Sequence, residues 1–563
     1  MKSFSLIIFF NLFTKSIDTL GEIHPADNAR LNHTQVMFEY DETIGADLYI
    51  TTIEPADEKE KFQPVKNSSL AIMVSGFEFG KNYSWFYEAW QGDKMLFKSK
   101  TYHFSIASSY LVDPGLFHSS VSSSIEGKFN NDIIFLDYRG IAIDRKGHPV
   151  WYCPYSSTNI DKDPLFRNLR MTNDGTVTCL DDSSCYEYSV DGKLLWRAPD
   201  NGKISGDATE HYHHDFKKLD DGTYLTAGWK YEYEPNLYNP SLRCQVRYNT
   251  IIQYDFAGKI LWYWNEKDHV DKQTIFGVYQ PGDTIIAGTH MNAFDYDAKE
   301  NAIVMSCRHN SSIVKIDKKT GKVIYQIGVY DNRKKSMGLT PLFLHQHGMA
   351  ILPDHQLLIY DNNSSDDANR GISYPKITIL KEPSNGLPAY KVWEYECRSD
   401  RFPKGILGKG GYAMPLPNGN ILACMGGANF ALEVSPSKEI VWESFFEKYD
   451  SANHRWGDFI NYRAISASSL YPYYFTLQNI VRKNSNLVFK INNDGSEDDV
   501  YVIEFKTKDG KLISTQEIVL KKHGHQRVFI QLKSKYSKKE IVLSVSRKSN
   551  RSQTRSLVFN KPA

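Results

Sequence analysis

The chain has 563 residues, 24% of them charged, with a formal net charge of +1. Charge this close to balance argues against nucleic acid as a partner. The length exceeds what one core usually serves, about 300 residues, so more than one domain is expected.

In chain order, Met1-Lys2-Ser3 precedes a mostly apolar run from Phe4 to Phe13, closed by Lys15. One positive charge before ~10 apolar residues fits a secretory signal over residues 1–20, since a membrane span needs ~20. No small-x-small cleavage site marks the cut, and no other stretch is long enough to cross a membrane. The mature chain is therefore expected to be periplasmic or secreted, without an integral membrane segment.

Residues 21–106 show alternating strands such as Leu70–Val74 and Tyr83–Tyr87 and are expected to form an N-terminal β-sandwich. A Ser-rich link follows (Ser119, Ser120, Ser122, Ser123, Ser124). Then a phrase recurs six times: a turn, often with Lys, two apolar residues and an aromatic. Its aromatics are Trp151, Trp196, Trp262, Tyr325, Trp393 and Trp442, at steps of 45, 66, 63, 68 and 49 residues. Strand–turn–strand units of that length predict a six-bladed β-propeller over residues 130–472. Beyond Tyr471-Pro472, Trp vanishes, Lys and Asn rise, and strands such as Val500–Phe505 alternate cleanly. Residues 473–563 are expected to form a C-terminal β-sandwich-like accessory domain, its basic tail read as a solvated surface. The fold class is all-β.

Seven Cys are scattered too widely for a zinc site. Cys179 and Cys185 flank a turn and could close a small disulfide in an oxidising compartment; seven buried thiols is the other reading.

A second repeat locates function. The turns beginning at Leu219, Leu352 and Leu416 follow His214, His347 and Gly411 by five residues. The same slot falls on His290 before a longer turn, near Arg167 in the first blade and near Arg463 in the last. A propeller gathers one inner position of every blade around one axis, so these residues would form a His and Arg ring, suited to holding or transferring an anion. Arg308, on the strand after His290, joins the expected pocket, and Tyr462 stands beside Arg463.

The histidine segments resemble the arylsulfate sulfotransferase family, bacterial enzymes that use no activated-nucleotide sulfate donor. The resemblance lies in His213-His214-Asp215-Phe216, Thr289-His290-Met291-Asn292, Ser306-Cys307-Arg308, Gln346-His347, Leu358–Asn362, Leu416–Leu422 and Tyr462-Arg463-Ala464. It spans roughly residues 25–470. It implies a six-bladed propeller preceded by a small β-sandwich. It also implies that His347 takes the sulfuryl group and passes it to a phenol. His214, His290, Asn292 and Arg308 would hold the sulfuryl oxygens and handle the proton; the repeat slots add Arg167 from the first blade and Tyr462 or Arg463 from the last as further substrate contacts. Two features depart from the family pattern. The chain has no Cys between 307 and 397, where the family places a pair before its nucleophilic His, and it carries a C-terminal addition.

The chemistry suits these residue types. Sulfuryl transfer, like phosphoryl transfer, spreads negative charge over peripheral oxygens. Neutral imidazole is a competent nucleophile near pH 7, a second His can move the phenolic proton, and Arg offers a planar fork. No metal ion, nucleotide or other cofactor is expected; the chain shows no phosphate-cradling Gly-rich loop. The expected partners are small phenolic sulfates and phenols, and a homo-oligomer stays open. Two other classes compete: a secreted propeller that binds an anionic glycan or surface ligand, and a polysaccharide lyase or hydrolase.

Overall fold

The computed structural model describes residues 23–559 except 57–61, 155–164, 182–183, 365–371, 484–485, 537–538 and 550–553. The expected signal segment, residues 1–20, lies outside the described residues. Among those described, structure is overwhelmingly strand; the α-helices are the short Glu266–His269, Lys272–Phe276 and Asn332–Ser336. None is long and apolar enough to cross a membrane.

Between residues 133 and 467 the chain lays down consecutive antiparallel sheets. Five run from first to fourth strand as Arg167–Met171 to Leu194–Arg197, Tyr212–Lys218 to Ile260–Asn265, Met291–Asp297 to Val323–Ile327, His347–Leu352 to Tyr390–Glu396, and Tyr412–Pro415 to Ile440–Asp450, the last extended by Arg455–Asp458. One more is composite. Ile133–Leu136, Ile141–Ile143 and Pro149–Tyr152 pair with Ala464–Ala467 from the far end of the region, Leu136 opposite Ala464. First strands of neighbouring sheets contact one another, and Ala464–Ala467 contacts both Arg167–Met171 and Tyr412–Pro415.

The recurring aromatic has a structural reason. It sits on the last strand of its sheet, and in four sheets a Trp indole N–H donates to a backbone carbonyl in the next sheet's turn. Trp151 reaches Val190, Trp264 reaches Gly321, Trp393 reaches Pro436 and Trp442 reaches Arg145. In the sheet ending at Asn265 this staple is Trp264; the residue singled out by the repeat, Trp262, is only half-buried. Each of the six hairpins leading into these last strands also carries a bulge. A bulge adds local twist, which successive sheets need if they are to fan around a centre.

Side chains stitch the inner strands together. Asn168 donates to Phe216 O, Asp215 accepts from Phe294 N (3.0 Å), Asn292 donates to Gln346 O (2.7 Å) and Asp295 accepts from Ile351 N (2.9 Å). Asp137 closes the ring of stitches, accepting from the backbone of Tyr462 (3.0 Å), Arg463 (2.8 Å) and Asn168 (3.3 Å). These contacts satisfy backbone groups left without ladder partners where sheets meet.

The Ser-rich stretch is not a link. Phe117–Ser124 is a strand pairing with Ile440–Asp450, and Ser119 bonds Ser444 across the pair at 2.6 Å. Its alternating small side chains fit a strand against a crowded sheet edge. N-terminal to it, two sheets enclose one core containing Phe38, Tyr49, Trp85 and Phe104. At the C-terminal end, Phe475–Lys483, Asn486–Asn493 and His525–Gln531 form one sheet. It shares a core of Phe489, Tyr501, Phe505 and Leu543 with a four-stranded sheet.

All seven cysteines are free and buried. Cys185 stands opposite Leu180, and Cys179 opposite Tyr186. Side chains alternate faces along a strand, so Cys179 and Cys185 point to opposite sides of their sheet.

Candidate active site

The entrances of the first strands converge on a cavity of about 130 Å3. It is lined by Tyr138, Arg167, His214, His290, Arg308, His347, Lys409, Gly410 and Tyr462. His214 and His290 meet edge to face with ring centroids 5.0 Å apart. Tyr462 lies 6.0 Å from the His214 ring and 5.8 Å from that of His347. Six residues predicted from sequence, up to 295 positions apart, thus share one small volume.

The backbone explains how imidazoles reach the cavity. His214 and His290 are left-handed, each with φ of 57°. At His347 the left-handed residues are instead its neighbours His345 (φ 50°) and Gly348 (φ 58°). Register shifts break the ladders beside each of the three. A bulge of this kind re-aims a side chain, and a left-handed backbone at a non-glycine residue must be held by its surroundings. The conformation is held from behind at His290. Thr289 donates to the buried Glu266, which also binds Asn249 Nδ2 (2.7 Å), and Asn249 Oδ1 accepts from Met291 N (3.1 Å).

The distortion at His345 separates two histidines that a regular strand would place on one face. His345 turns away and bonds Ser364 O at 2.9 Å, while His347 lines the cavity. Gln346 between them is fully buried, donating to Ser306, Cys307 and Ser312.

Two predicted residues stand behind the wall rather than on it. Arg463 is completely buried and pairs with Asp215 at 3.1 Å. Its guanidinium also donates to His214 O (3.2 Å) and Asn292 O (3.3 Å). Asn292 spends its amide on Gln346 O, 2.7 Å away.

Sequence reasoning missed several contributors. His213 stacks on Trp229 with ring centroids 4.3 Å apart, and Arg247 lies over the same indole at 4.2 Å. His309 stacks on His290 at 4.5 Å and bonds Tyr279 Oη at 3.0 Å. Trp229 and Arg247 belong to the long hairpin Tyr224–Pro235 and Arg243–Tyr254, which has no counterpart among the described residues of the other repeats. Lys409 and Tyr138 line the cavity from loops that the slot alignment does not cover.

Hydrogen bonds from the wall fix the proton positions. His213 Nε2 meets Gly228 O at 2.9 Å, a carbonyl that can only accept, so that nitrogen carries the proton. His213 Nδ1 must then accept, and its partner at 2.9 Å is His214 Nδ1, which therefore donates. His214 is left with a lone pair on Nε2. At His290 the sense is reversed. Arg247 donates to Nδ1 at 3.2 Å, so Nε2–H is the group left for the cavity. His347 Nδ1 lies 3.2 Å from His345 O and 2.8 Å from Asn362 Nδ2. In His214, His290 and His347 Nδ1 is tied to the wall, leaving Nε2 for the cavity.

Burial, followed by nearby cations and imidazoles, holds His214, His290 and His347 well below the ordinary histidine range. His213 and His309 are pushed down to about 3, burial again leading, with Arg247 acting on both and Arg308 on His309. All five rings are therefore neutral near pH 7. Burial opposes ionisation of Asp215, but Arg463, Arg170 and Lys217 hold its carboxyl below its usual value. The cavity thus presents neutral imidazoles and fixed cations, with no carboxylate among its described lining residues and Asp215 turned to Arg463 behind the wall.

Among solved structures the chain is similar to a streptogramin B lyase, at 13% identity over 58% of this chain and 87% of that one, TM-score 0.32. It is also similar to virginiamycin B lyase from Staphylococcus aureus, at 11% identity over 58% and 88%, TM-score 0.29. A third is Kuenenia stuttgartiensis hydrazine synthase, at 10% identity over 62% and 96%, TM-score 0.34. Likeness at that level carries no inference about what this chain does. No curated relative matches. Residues 120–386, the stretch that supplies Arg167, His214, His290, Arg308 and His347 to the cavity, match the arylsulfotransferase (ASST) family model, bearing out the family resemblance read from the histidine segments.

Proposed function

We propose that the protein is an aryl sulfotransferase working in an exported compartment, and that its consecutive sheets are the six blades of a propeller flanked by two β-sandwich domains. The observation that carries the reading is the convergence of three neutral histidines and Arg308 on one cavity within the stretch that matches the family. The cyclic contacts of the first strands support the propeller.

In this reading a phenolic sulfate enters with its sulfuryl group between Arg308 and the imidazoles. His347 Nε2 attacks sulfur, the N–S bond forms and the S–O(aryl) bond breaks. The attack requires the tautomer with a lone pair on Nε2, in which Nδ1–H donates to His345 O and the Asn362 amide spends its protons on His345 O and Gly410 O rather than on the ring. Arg308 and the Nε2–H of His290 offset charge on the peripheral oxygens. Tyr462 borders both His214 and His347 and guides the aromatic ring. The phenolate leaves as the anion and takes its proton from solvent, and the proton that the acceptor later gives to His214 returns to solvent. An acceptor phenol then gives its proton to the lone pair on His214 Nε2 and takes the sulfuryl group from His347, breaking the N–S bond. Arg463 and Asn292 position the strand entrances rather than touch substrate, and Arg167 and Lys409 draw the anion in. No metal ion or nucleotide takes part.

The test is intact mass and peptide mapping after mixing protein with p-nitrophenyl sulfate alone and quenching at alkaline pH. A gain of about 80 Da on the peptide containing His347 is expected, one sulfuryl group on the activated nucleophile. His347→Asn should abolish both this gain and transfer to phenol. A fully active His347→Asn protein, or label on a peptide lacking His347, overturns the mechanism. Retention of aryl sulfates without turnover would favour a binding propeller.

A further inference from the structure

The chain's charge is unevenly divided. Residues 473–563 hold 18 Lys and Arg against 8 Asp and Glu, a net of +10 within a chain whose total is +1. Part of that excess is ordered on the outer face of the sheet formed by Phe475–Lys483, Asn486–Asn493 and His525–Gln531.

Strand register shows what that face presents. Val481 stands opposite Val488, and Val488 opposite Phe529, an apolar row across all three strands. To one side Lys490 is paired with Arg527; to the other Lys483 is paired with Asn486. Directly opposed residues share a face, so these rows form one surface. At ~3.4 Å per residue, the cation at Lys483 and the pair at Lys490 and Arg527 lie roughly 14 Å apart along the strands. The row between them is open to solvent, Val481 at 58% and Phe529 at 62% exposure. The surface is concave, a groove of about 770 Å3 with no Asp or Glu in its lining.

A guarded sheet edge is the plain alternative, since edge strands commonly carry Lys against aggregation. Lys483 and Arg527 do stand on edge strands, but Lys490 is on the central strand, and the most exposed aromatic of the face, Phe529, is on an edge strand, where a guard against aggregation has no use for it.

We propose that this groove binds a chain of acidic sugars, a polyanionic glycan. Cations at both ends of the strip meet its carboxylate or sulfate groups. Phe529 and the two valines offer a flat apolar strip to the C–H faces of the sugar rings, and Asn486 and Asn479, also in the lining, reach hydroxyls. A lipid surface is flat on this scale, cannot enter the groove, and has no use for amides set between the cations. Binding here is independent of the chemistry at the propeller axis.

The experiment measures binding of the full chain to polygalacturonate and to dextran sulfate, with neutral dextran and phosphatidylglycerol vesicles alongside. Binding to either polyanion, weakening as salt is raised, is expected; which of the two binds identifies the anion. Lys483 and Arg527 are exposed, so the double variant K483E/R527E should fold, and its affinity should fall by at least tenfold. Phe529→Ala should weaken binding a fewfold at every salt concentration. Turnover of a small aryl sulfate should not change in either variant. Equal affinity for neutral dextran, tighter binding to vesicles than to both polyanions, no binding to either polyanion, or unchanged affinity in both variants would each overturn the proposal.

Discussion

The axial cavity and the C-terminal groove are both cationic, yet they are built on opposite principles. At the axis Arg463 is fully buried and Arg308 is 1% exposed; in the groove Lys483 and Arg527 are open to water. Buried cations escape screening by salt and hold fixed positions, which suits charge that develops at one point in a reaction. Exposed lysines are screened and mobile, and they gain effect by number. In the functions proposed above, the same sign of charge would serve stabilisation in the buried cavity and capture in the groove.

The sharpest way to break that contrast is to remove the carboxylate beneath the axis. Asp215 pairs with Arg463 at 3.1 Å and accepts the N–H of Phe294 at 3.0 Å, tying neighbouring sheets. Asp215→Ala leaves Arg463 buried with no carboxylate partner there. Stability should drop by about 3–5 kcal/mol, the cost of breaking a buried pair from one side. Denaturant unfolding measures it. K483E/R527E in the groove should shift the same midpoint by under about 0.5 kcal/mol, as surface changes do. Comparable losses in the two variants would mean that the axis is hydrated and the contrast false.

A smaller effect separates positioning from contact. His213 does not line the cavity, but it holds the proton of His214 on Nδ1. His213→Phe keeps a ring against Trp229 and removes the acceptor, freeing His214 to change tautomer. We expect kcat to fall on the order of tenfold with little change in KM, the scale seen when an outer partner of a functional imidazole is lost. His213→Gln, whose amide oxygen can accept the same N–H, should recover part of the loss. A matched change in KM, or no rescue, would assign His213 to packing alone.

How far the sequence reached follows from what repeats. A fixed five-residue offset before the turn located His214 and His347, and the same slot before a longer turn fell on His290, because each first strand starts at a corresponding distance from its turn. Arg463 was found by the same count, but its direction was not, since nothing in the spacing shows that Asp215 draws it into the wall. Arg247 and Trp229 were invisible for a different reason: they lie on one hairpin extended beyond the repeat. The Ser-rich stretch misled because small polar residues suit a linker and a strand crowded against a neighbour equally well. The Trp phrase was legible as a marker but not as a device. Only coordinates show the indole N–H reaching the next sheet's turn, and with it why Trp264 takes the place of Trp262.

The smallest expected effect is an absence of change with pH. His214, His290 and His347 are all held well below 6.5, burial being the leading cause. A histidine so lowered stays neutral in the folded protein as pH falls past the point where an unfolded or solvated ring takes a proton. Its lone pair therefore survives to lower pH. Turnover of p-nitrophenyl sulfate with a phenol acceptor should vary by less than about twofold between pH 8 and pH 6. A solvated imidazole of ordinary pKa, ~6.5, would lose roughly three quarters of its neutral form over that range. The acid limb should appear only below pH 6, and raising salt should leave it in place, because the cations that depress these rings are buried with them. Arg308→Gln removes one of those cations from beside His290 and His347. In that variant the limb should move upward even as turnover falls. A limb near pH 6.5 in the unmodified protein would mean that water reaches the rings freely, and the distinction between the axis and the open groove would no longer hold.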